Sequence, residues 1–418
     1  MIKFCRFNSR SGQSLIEVMI GLAIGSLLIG TASLGVAFIL RSSSSNQNLQ
    51  TGAGLNQDII DKVRGISSAN WQDVYSLTKG TSSSYFVYPS GTSLFVVVGG
   101  REGVFQNEIS NGLIGEWKFD EATSSVSTTT FDSTGNNNSG ILTNGPLRAS
   151  STCKASACLS FDGDDDYVNV SSLTYSNNVT MSVWFKGGSQ TASDWNYWIR
   201  SGNIVFEFGT YGDGITFKDN IASGTPSVSG GTTFVDNEWH HAVGVVSSTE
   251  MQIWVDGVLR QSRTDYPGGQ SHTSVNHRIG GNGTSPRGWS GFIDDARIYN
   301  RALTPAEILT LYNNIPFTRY FHVENVTRDS SGDIASGNDD PATQKITAYA
   351  EWAGQGALFS QLKVLDYITR WQNSTFNQSD WSGGSGESGV LTQPSNKYTS
   401  SSNIDATSTY GSIKILGL

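Results

Sequence analysis

The stretch Glu238–Ser262, EWHHAVGVVSSTEMQIWVDGVLRQS, carries the clearest structural pattern of the chain. Apolar residues alternate with polar or small ones in both halves, which is the period of a half-buried β-strand. The dipeptide Asp256-Gly257 lies between two such runs, and Asp-Gly at this position favours a two-residue hairpin turn. The stretch therefore predicts antiparallel strands of an all-β domain.

Strands of the same kind continue on both sides of this hairpin, between residues 113 and 312. Eight or more short runs are separated by turns rich in Gly, Asn and Asp, and this spacing predicts a jelly-roll-like β-sandwich. A helix is expected to begin at Thr304, because Pro305 stands in its first turn and Glu307 completes a capping box.

The same residues resemble the laminin-G-like domains of the concanavalin A-like lectin/glucanase superfamily. The shared motifs are GEWKFDE, DSTGNNNSG, LSFDGDDDYV, SVWFK, EWHHAVGV, QIWVDG and GFIDDARIYNRALTPAEI, in this order. The resemblance covers nearly all of residues 113–312 and implies a sandwich whose first and last strands lie side by side. It indicates the fold more strongly than the ligand.

Catalytic residues are not expected in this sandwich. Glucanases of the superfamily carry carboxylates in a Glu-x-Asp-x-x-Glu string, and the sequence contains no such string. Asp294 and Asp295 are neighbours, so in a strand they point to opposite faces, and the same holds for His240 and His241. We therefore expect a binding module and not an enzyme.

Calcium is the cofactor that the sequence favours, because carboxylate and amide oxygens are dense in three turns. Laminin-G-like domains often hold a structural Ca²⁺, and the resemblance implies such an ion here. The candidate ligands are Asp120, Asp132, Asn136, Asp162 and Asp294, with Asp164 and Asp165 in the same run as Asp162. The alternative is that Asp-Gly and Asn-rich sequence only forms turns.

Three tryptophans stand in polar surroundings of the sequence, namely Trp195, Trp198 and Trp289. If they are exposed, they are candidates for stacking on sugar rings. The alternative is core packing, which is the commoner fate of tryptophan.

Two of the three cysteines, Cys153 and Cys158, are expected to form a disulfide that closes a small loop. Cys5 lies in the basic N-terminal leader, so these two form the plausible pair. The alternative is a pair of free thiols. The spacing and the absence of a His-rich context exclude a zinc site.

The N-terminus combines a basic leader with a long apolar run. Lys3, Arg6 and Arg10 precede the run Val18–Leu40, which contains no charged residue and is long enough to cross a bilayer as a helix. A cleaved signal peptide or an uncleaved anchor would explain both features. Neither explains Glu17, a carboxylate at the mouth of the run.

The residues GQSLIE, Gly12 to Glu17, resemble the processing signal of type IV prepilins and pseudopilins. The resemblance implies cleavage between Gly12 and Gln13 by a prepilin peptidase and methylation of the new N-terminus at Gln13. It also gives Glu17 a role in assembly. A carboxylate in an apolar bundle can pair with the freed amine of a neighbouring subunit, which offsets the desolvation of both.

The sequence after the membrane segment also agrees with a pilin-like body. An amphipathic helix, expected to break near Gly52–Gly54, is followed by two strands in residues 84–105. Strand-like sequence of this kind returns only in residues 317–334 and 343–352. We therefore expect a small antiparallel sheet that is interrupted by the sandwich, and a simple serial array of three domains is the alternative.

The predicted fold class is mainly β, with a long N-terminal helix, a small pilin-like antiparallel sheet and an inserted concanavalin A-like β-sandwich. The expected segments are the leader 1–12, the helix and first strands 13–112, the sandwich 113–312, the remaining pilin-like strands 313–375 and a Ser/Gly-rich tail 376–418.

The predicted function is that of a minor pilin or pseudopilin that displays a binding module for a glycan or protein ligand on a type IV pilus-like filament. A structural pseudopilin of a secretion or DNA-uptake machine is the alternative, and an enzyme acting on polysaccharide is a third. Expected partners are other pilin subunits, prepilin peptidase and the inner membrane before assembly, followed by the cell surface. The net charge of −9 and the lack of a basic stripe argue against nucleic acid.

Overall fold

The computed structural model describes residues 15–90, 94–122, 128–170, 172–175, 178–188, 190, 195–201, 206–220, 224–267, 272–273, 276–284, 287–353, 359–370, 404–405 and 414–415. The chain divides into two compact units, Met1–Thr51 and Gly52–Leu418. None of the helices in these described stretches has both the length and the apolar character needed to cross a membrane.

Most of the described secondary structure is β-strand, with two helices before the first strand and one between the strands Ser290–Tyr299 and Pro316–Arg328. The helices are α1 (Leu15–Ala69), α2 (Gln72–Tyr75) and α3 (Pro305–Asn313). The strands are β1 (Tyr85–Ser90), β2 (Leu94–Gly99), β3 (Glu102–Phe105), β4 (Leu113–Trp117), β5 (Thr129–Thr130), β6 (Gly140–Thr143), β7 (Leu147–Ala149), β8 (Cys158–Asp162), β9 (Tyr167–Val170), β10 (Thr174–Tyr175), β11 (Val179–Lys186), β12 (Trp195–Ser201), β13 (Phe206–Tyr211), β14 (Gly214–Asp219), β15 (Ser227–Gly231), β16 (His240–Val246), β17 (Met251–Val255), β18 (Val258–Arg263), β19 (His272–Thr273), β20 (His277–Ile279), β21 (Ser290–Tyr299), β22 (Pro316–Arg328), β23 (Asn338–Ala353), β24 (Phe359–Thr369), β25 (Ile404–Asp405) and β26 (Lys414–Ile415).

The first sheet, called the small sheet below, is built from strands on both sides of the sandwich. Its order is β2-β1-β22-β23-β24, and β3 pairs with β22. All of its described pairings are antiparallel, with Tyr85 opposite Phe321 and Phe317 opposite Val104. Strands early and late in the sequence are therefore hydrogen-bonded neighbours, although the whole sandwich lies between them in the chain.

One face of the small sheet is covered by the end of α1. Ile59, Ile60, Val63 and Ile66 recur at the spacing of one helical face, and each is at most 5% exposed. They pack with buried residues of β1, β22 and β23 in one apolar cluster. The predicted break at Gly52–Gly54 is wrong, because α1 is continuous there. Gly52 lies against Trp352, where an added Cβ would come within 3.0 Å of the indole ring.

The sandwich consists of two eight-stranded sheets. The front sheet has the order β18-β17-β16-β11-β21-β8-β7, with β4 paired to β21, and the back sheet has the order β15-β14-β13-β12-β20-β9-β6-β5. A single apolar cluster between them contains alternate residues of both sheets. This architecture confirms the predicted fold class, a mainly β protein with one long N-terminal helix.

The stretch from Glu238 to Ser262 forms β16, β17 and β18 in adjacent positions of the front sheet. Asp256 and Gly257 have φ values of 53° and 72°, the left-handed pair that a two-residue hairpin turn requires. The predicted start of α3 is also confirmed. The Thr304 side chain accepts the backbone N–H of Glu307, and the Glu307 carboxylate accepts the backbone N–H of Thr304.

The chain enters and leaves the sandwich at the same place. The first strand, β4, pairs antiparallel with the last, β21, with Trp117 opposite Ala296. Strand β3 of the small sheet precedes β4, and β22 follows β21 and α3. The residues around these four strands are called the joint below.

Candidate functional site

The residues of the N-terminal processing signal fall outside the description of the structure. Gly12 and Gln13 lie outside the described residues. Glu17 lies in α1, and its side chain is likewise outside what the structure describes. Their predicted roles in cleavage, methylation and assembly remain predictions.

Two of the predicted calcium ligands, Asp120 and Asp294, are buried at the joint. Asp120 accepts the backbone N–H groups of Gly103 and Ala157, and Asp294 accepts that of Ala155. Burial raises the pKa of both carboxyl groups well above the usual value, and the charge of Asp294 raises that of Asp120 further. Their carboxylate oxygens therefore accept hydrogen bonds from the backbone of the joint.

The predicted ligands Asp132 and Asn136 form a turn beside β4. Asp132 is buried and accepts the backbone N–H groups of Glu116, Thr134 and Asn138. Asn136 is exposed, and its side-chain amide faces the backbone carbonyls of Leu113 and Ile114. Here the turn-forming alternative accounts for the sequence.

The structure does not gather the five predicted ligands into one site. Within the described residues, one group of acidic side chains is close enough for a shared metal ion, namely Asp162, Asp165 and Asp166, whose ligand atoms lie within 4.8 Å of one another. Asp166 is buried, and burial raises its pKa, with further contributions from the charges of Asp162 and Asp165. Sequence reasoning omitted Asp166, because a run of aspartates does not show which carboxylates converge.

All three predicted sugar-stacking tryptophans are buried, with Trp195 only 8% exposed, so the expectation that they are exposed is wrong. Trp198 and Trp289 are 0% exposed. Their rings meet edge to face at 5.5 Å, and Trp198 also stacks on Phe185 at 3.9 Å. Strand β12 has a bulge between Tyr197 and Ile199, so that the adjacent residues Trp198 and Ile199 both belong to the core.

Cys153 and Cys158 are joined by a disulfide, and their Cα atoms lie 5.5 Å apart. The closed loop supplies the backbone N–H groups that Asp294 and Asp120 accept, and Ser156 Oγ donates to the carbonyl oxygen of Arg101. The loop therefore links the front sheet of the sandwich to the segment that begins β3.

Charged side chains form a continuous series of ion pairs through the joint, and all of its members except Asp58 are buried. Arg319 of β22 contacts Asp58 of α1 and Glu102 of β3, both at 2.7 Å. Lys118 lies 3.3 Å from Glu102 and 3.8 Å from Glu116. Glu116 lies 2.9 Å from Arg297, which also contacts Asp295 at 2.9 Å. The charges alternate in sign from the helix through the small sheet to the front sheet.

The two histidines of the EWHH motif contact carboxylates and an aromatic ring of the sandwich. His240 contacts Asp256 at 2.7 Å and Asp236 at 3.0 Å, and the hydrogen bond to Asp256 is the main cause of its raised pKa. His241 is buried against Trp184, and burial lowers its pKa to about 3. Asp294 and Asp295 are both buried within the joint.

The outer face of the back sheet carries a row of polar and charged side chains. Core-facing residues Ile199, Phe206, Phe208, Phe217 and Ile279 define the inner face. The residues that alternate with them form a row across six strands, one directly opposite the next: Asn169, Arg278, Arg200, Glu207, Lys218 and Ser227. Sequence reasoning missed this row, although WNYWIRS and FEFGTYGDGITFKD contain the alternation.

Aromatic rings continue this face along β12 and β13. Trp195 stacks on Tyr197 at 5.6 Å with an interplanar angle of 6°, and Tyr211 meets Trp195 edge to face at 5.9 Å. Tyr211 is 57% exposed. The Tyr197 hydroxyl donates to Glu207 at 2.7 Å, and the Arg200 guanidinium lies 5.3 Å from the centre of the Tyr197 ring. Trp195 is therefore the one predicted tryptophan on this side of β12, but it is only 8% exposed and Tyr197 is 0% exposed, so Tyr211 is the ring of this group that solvent reaches.

Solved structures with some similarity to the chain include three with low TM-scores. Domain 4 of AbnA, a GH43 extracellular arabinanase from Geobacillus stearothermophilus in complex with arabinotriose, has 22% identity and a TM-score of 0.36 over 48% of this chain and 98% of that one. The botulinum neurotoxin serotype D binding domain has 11% identity and 0.40 over 63% and 80%. The binding domain of Paraclostridial Mosquitocidal Protein 1 has 11% and 0.40 over 62% and 76%.

Comparison of the sequence with family models gives two matches, whereas no curated protein matches the chain. Residues 7–33 match the prokaryotic N-terminal methylation motif, and residues 162–309 match the concanavalin A-like lectin/glucanases superfamily. The first match implies processing by a prepilin peptidase and assembly with other pilin subunits. The chain thus carries a prokaryotic N-terminal methylation motif ahead of a concanavalin A-like lectin/glucanase domain, as its sequence predicted.

Proposed function

We propose that the protein is a minor pilin or pseudopilin that displays its sandwich on a type IV pilus-like filament, where the sandwich binds a glycan or protein ligand. The observation that carries the proposal is the presence of a methylation motif at residues 7–33 and a lectin-like domain at residues 162–309 in one chain. The small sheet supports it, because strands from both sides of the sandwich complete one sheet next to α1.

Assembly would depend on Glu17, whose carboxylate pairs with the methylated amine of a neighbouring subunit. The test replaces Glu17→Val in the full chain and measures the amount of protein in sheared filaments. We expect loss from the filament fraction with normal amounts in the membrane fraction. Glu238→Gln, at an exposed position, is the matched control and should assemble normally. Normal assembly of the Glu17 variant would contradict the proposal.

We assign ligand binding to the outer face of the back sheet. We propose that the sandwich binds its ligand without catalysing a reaction. Tyr211 is the exposed ring of this face, and Trp195 lies beside it. The full chain should bind members of a glycan array, and Tyr211→Ala should weaken that binding. Tyr367→Ala removes a 39% exposed ring from the small sheet and is the control. Absence of binding to glycans and cell surfaces would favour the structural pseudopilin alternative, and hydrolysis of a glycan would contradict the binding role.

We further propose that Asp162, Asp165 and Asp166 contribute oxygen ligands to a structural Ca²⁺ ion. These carboxylates converge within 4.8 Å, and within the described part of the chain none of them has an ion-pair partner. A divalent cation would neutralise the charges of Asp162 and Asp165, which add to the effect of burial in raising the pKa of Asp166. Calorimetry with CaCl₂ should detect binding that Asp165→Asn weakens and that Asp265→Asn, at an exposed site, leaves unchanged. No heat of binding would contradict the assignment.

A further inference from the structure

We propose that residues 152–158, called the latch below, hold the sandwich against the small sheet only when Cys153 and Cys158 are oxidised to a disulfide. When the disulfide is reduced, the latch relaxes and releases β3, so that the two structural parts are less tightly coupled. This inference goes beyond the proposed function, because it concerns the connection between the two parts and neither a ligand nor an assembly contact.

The latch contacts the small sheet on one side. Ser156 Oγ donates to the carbonyl oxygen of Arg101 at 2.5 Å, one residue before β3 begins. Within β3, Gly103 leaves little room for a side chain, because an added Cβ would come within 3.0 Å of the Ala155 methyl group. The latch therefore packs directly against the backbone of β3.

Two buried carboxylates connect the other side of the latch to the sandwich. Asp294 of β21 accepts the backbone N–H of Ala155 at 2.9 Å, and Asp120 accepts that of Ala157 at 3.0 Å. The second oxygen of Asp120 accepts the backbone N–H of Gly103 in β3. These hydrogen bonds join the sandwich, the latch and the small sheet, and they require the latch backbone to keep its present conformation.

The latch contains backbone conformations that are unfavourable in isolation. Thr152 and Ser156 have φ angles of 66° and 48°, in the left-handed region that favours glycine. A β-branched residue such as Thr152 is an especially poor occupant of this region. Such conformations persist only where the surrounding structure imposes them. The disulfide supplies this constraint, because it closes a ring that contains Ser156 and begins one residue after Thr152.

Reduction of the disulfide removes the constraint. Cys158 is 0% exposed and Cys153 is half-buried, so an external thiolate reaches the sulfur of Cys153. This attack forms a mixed disulfide with Cys153 and expels the thiolate of Cys158, and a second external thiol then frees Cys153. In the oxidising direction, the two cysteine thiols lose two electrons and two protons to an external disulfide such as oxidised glutathione, which becomes two thiols.

The compartment that surrounds the sandwich decides which form is present. Disulfides persist in oxidising compartments such as the bacterial periplasm and are rare in the cytoplasm. The methylation motif implies that the chain is exported to the cell surface. The latch therefore closes after the sandwich has left the cytoplasm.

The test uses the full chain purified in detergent, with Cys5→Ser to remove the third thiol. One sample is oxidised, a second is reduced with dithiothreitol, and intact mass verifies the state of each. The double variant Cys153→Ser, Cys158→Ser is measured in parallel, so that the comparison does not depend on complete reduction of a bond whose second sulfur is buried.

Hydrogen exchange of the backbone amides reports the coupling. We expect exchange in β3 and in residues 154–157 to accelerate about tenfold without the disulfide, because more than one hydrogen bond of the latch is lost. Exchange in β13 and β14 of the back sheet is the internal control and should stay the same. Ser156→Ala, which keeps the disulfide and removes the contact with Arg101, should accelerate exchange in β3 to a smaller extent.

A second measurement tests the role of the backbone strain. Thr152→Gly relieves the left-handed conformation, whereas its neighbour Ser151, equally exposed, has no positive φ angle and gives the matched control Ser151→Gly. In glutathione buffers, the equilibrium of Thr152→Gly should favour the disulfide at least about fivefold more than that of Ser151→Gly, because oxidation no longer imposes strain.

Three results overturn the inference. Equal exchange of β3 with and without the disulfide would show that the latch does not hold the small sheet. Acceleration to the same degree throughout the back sheet would show a general loss of stability instead. Equal glutathione equilibria of the two glycine variants would show that the latch is not strained. Filament incorporation and ligand binding test the proposed function separately, so that it stands or falls independently of these results.

Discussion

Lys118 Nζ lies 3.3 Å from Glu102 Oε1, and this contact joins the sandwich to the small sheet. Lys118 directly follows β4, and Glu102 begins β3. Arg319 holds the other oxygen of the same carboxylate at 2.7 Å. One buried carboxylate thus receives a cation from each side of the joint, so that the two structural parts are linked by charge in addition to chain continuity.

Removing this carboxylate should destabilise the protein. In Glu102→Gln, Lys118 and Arg319 lose their common buried partner, and breaking a buried ion pair costs about 3–5 kcal/mol of unfolding free energy. Denaturant titration of the full chain measures the loss. Glu324→Gln, which breaks the partly exposed pair with Lys345, is the matched control and should cost less than about 1 kcal/mol. Equal losses in both variants would contradict the role of the joint.

The contribution of Glu102 should disappear in acid. Burial alone would raise its pKa, but the charges of Arg319 and Lys118 lower the pKa of Glu102 to about 2. Because the folded value is below the ordinary value of 4.5, the stabilisation is present above that pH and is lost as the pH falls toward 2. The difference in stability between wild type and Glu102→Gln should therefore shrink over this range. A difference that stays constant would show that ionisation of Glu102 is not the cause.

His240 should give the opposite pH dependence. Its hydrogen bond to Asp256 is the main cause of its raised pKa, with a smaller contribution from Asp236. Because the pKa of His240 is higher in the folded protein, its charged form stabilises the fold fully below pH 6.5, the ordinary pKa of histidine. This stabilisation is lost as the pH rises through the pKa of the folded protein. His240→Gln should lower the unfolding free energy by about 1–2 kcal/mol at pH 5.5 and by less at pH 9. Asp236→Asn should have a smaller effect, and a pH-independent loss would refute this assignment.

Tryptophans of the same strand should respond differently to substitution. Trp198→Ala should cost about 3–5 kcal/mol of unfolding free energy, because it empties a fully buried site between Phe185 and Trp289. Trp198→Phe keeps an aromatic ring and should cost less. Trp195 is 8% exposed and lies next to the exposed Tyr211, so Trp195→Ala should also destabilise the protein, but less than Trp198→Ala. The reverse ranking of Trp195 and Trp198 in denaturant titrations would mean that the faces of β12 are misassigned.

The disulfide should contribute modestly to stability. Closing a loop of this size removes conformational entropy worth about 2 kcal/mol from the unfolded chain. Replacing Cys153 and Cys158 together by Ser should lower the unfolding free energy by at least this amount, because the closed loop also donates backbone hydrogen bonds to Asp120 and Asp294. Mass spectrometry with and without reductant establishes whether the bond is present. An unchanged mass on reduction would contradict the pairing.

Local sequence patterns were sufficient to predict the strands and their turns. Alternation gave β16 and β17, and the Asp256-Gly257 turn and the Thr304 capping box formed as expected, because each depends on residues close together in the chain. The break at Gly52 did not form, because a partner three hundred residues later, Trp352, occupies the space beside that glycine.

The candidate site was less accessible to sequence reasoning. Arg200 and Arg278 become neighbours only through the pairing of β12 with β20. The same holds for Glu102 and Arg319, which are 217 residues apart in sequence. The burial of Trp198 likewise depends on rings from other strands. Long-range pairing, which a single sequence does not reveal, determines all three.

The central claim is that this chain is processed as a pilin-like subunit that carries its sandwich to the cell surface. The most direct test is the intact mass of the mature protein from cells that contain a prepilin peptidase. We expect a chain that begins at Gln13 and carries one additional methyl group. An N-terminus near residues 30–35, as left by a conventional signal peptidase, or an unprocessed leader would contradict it.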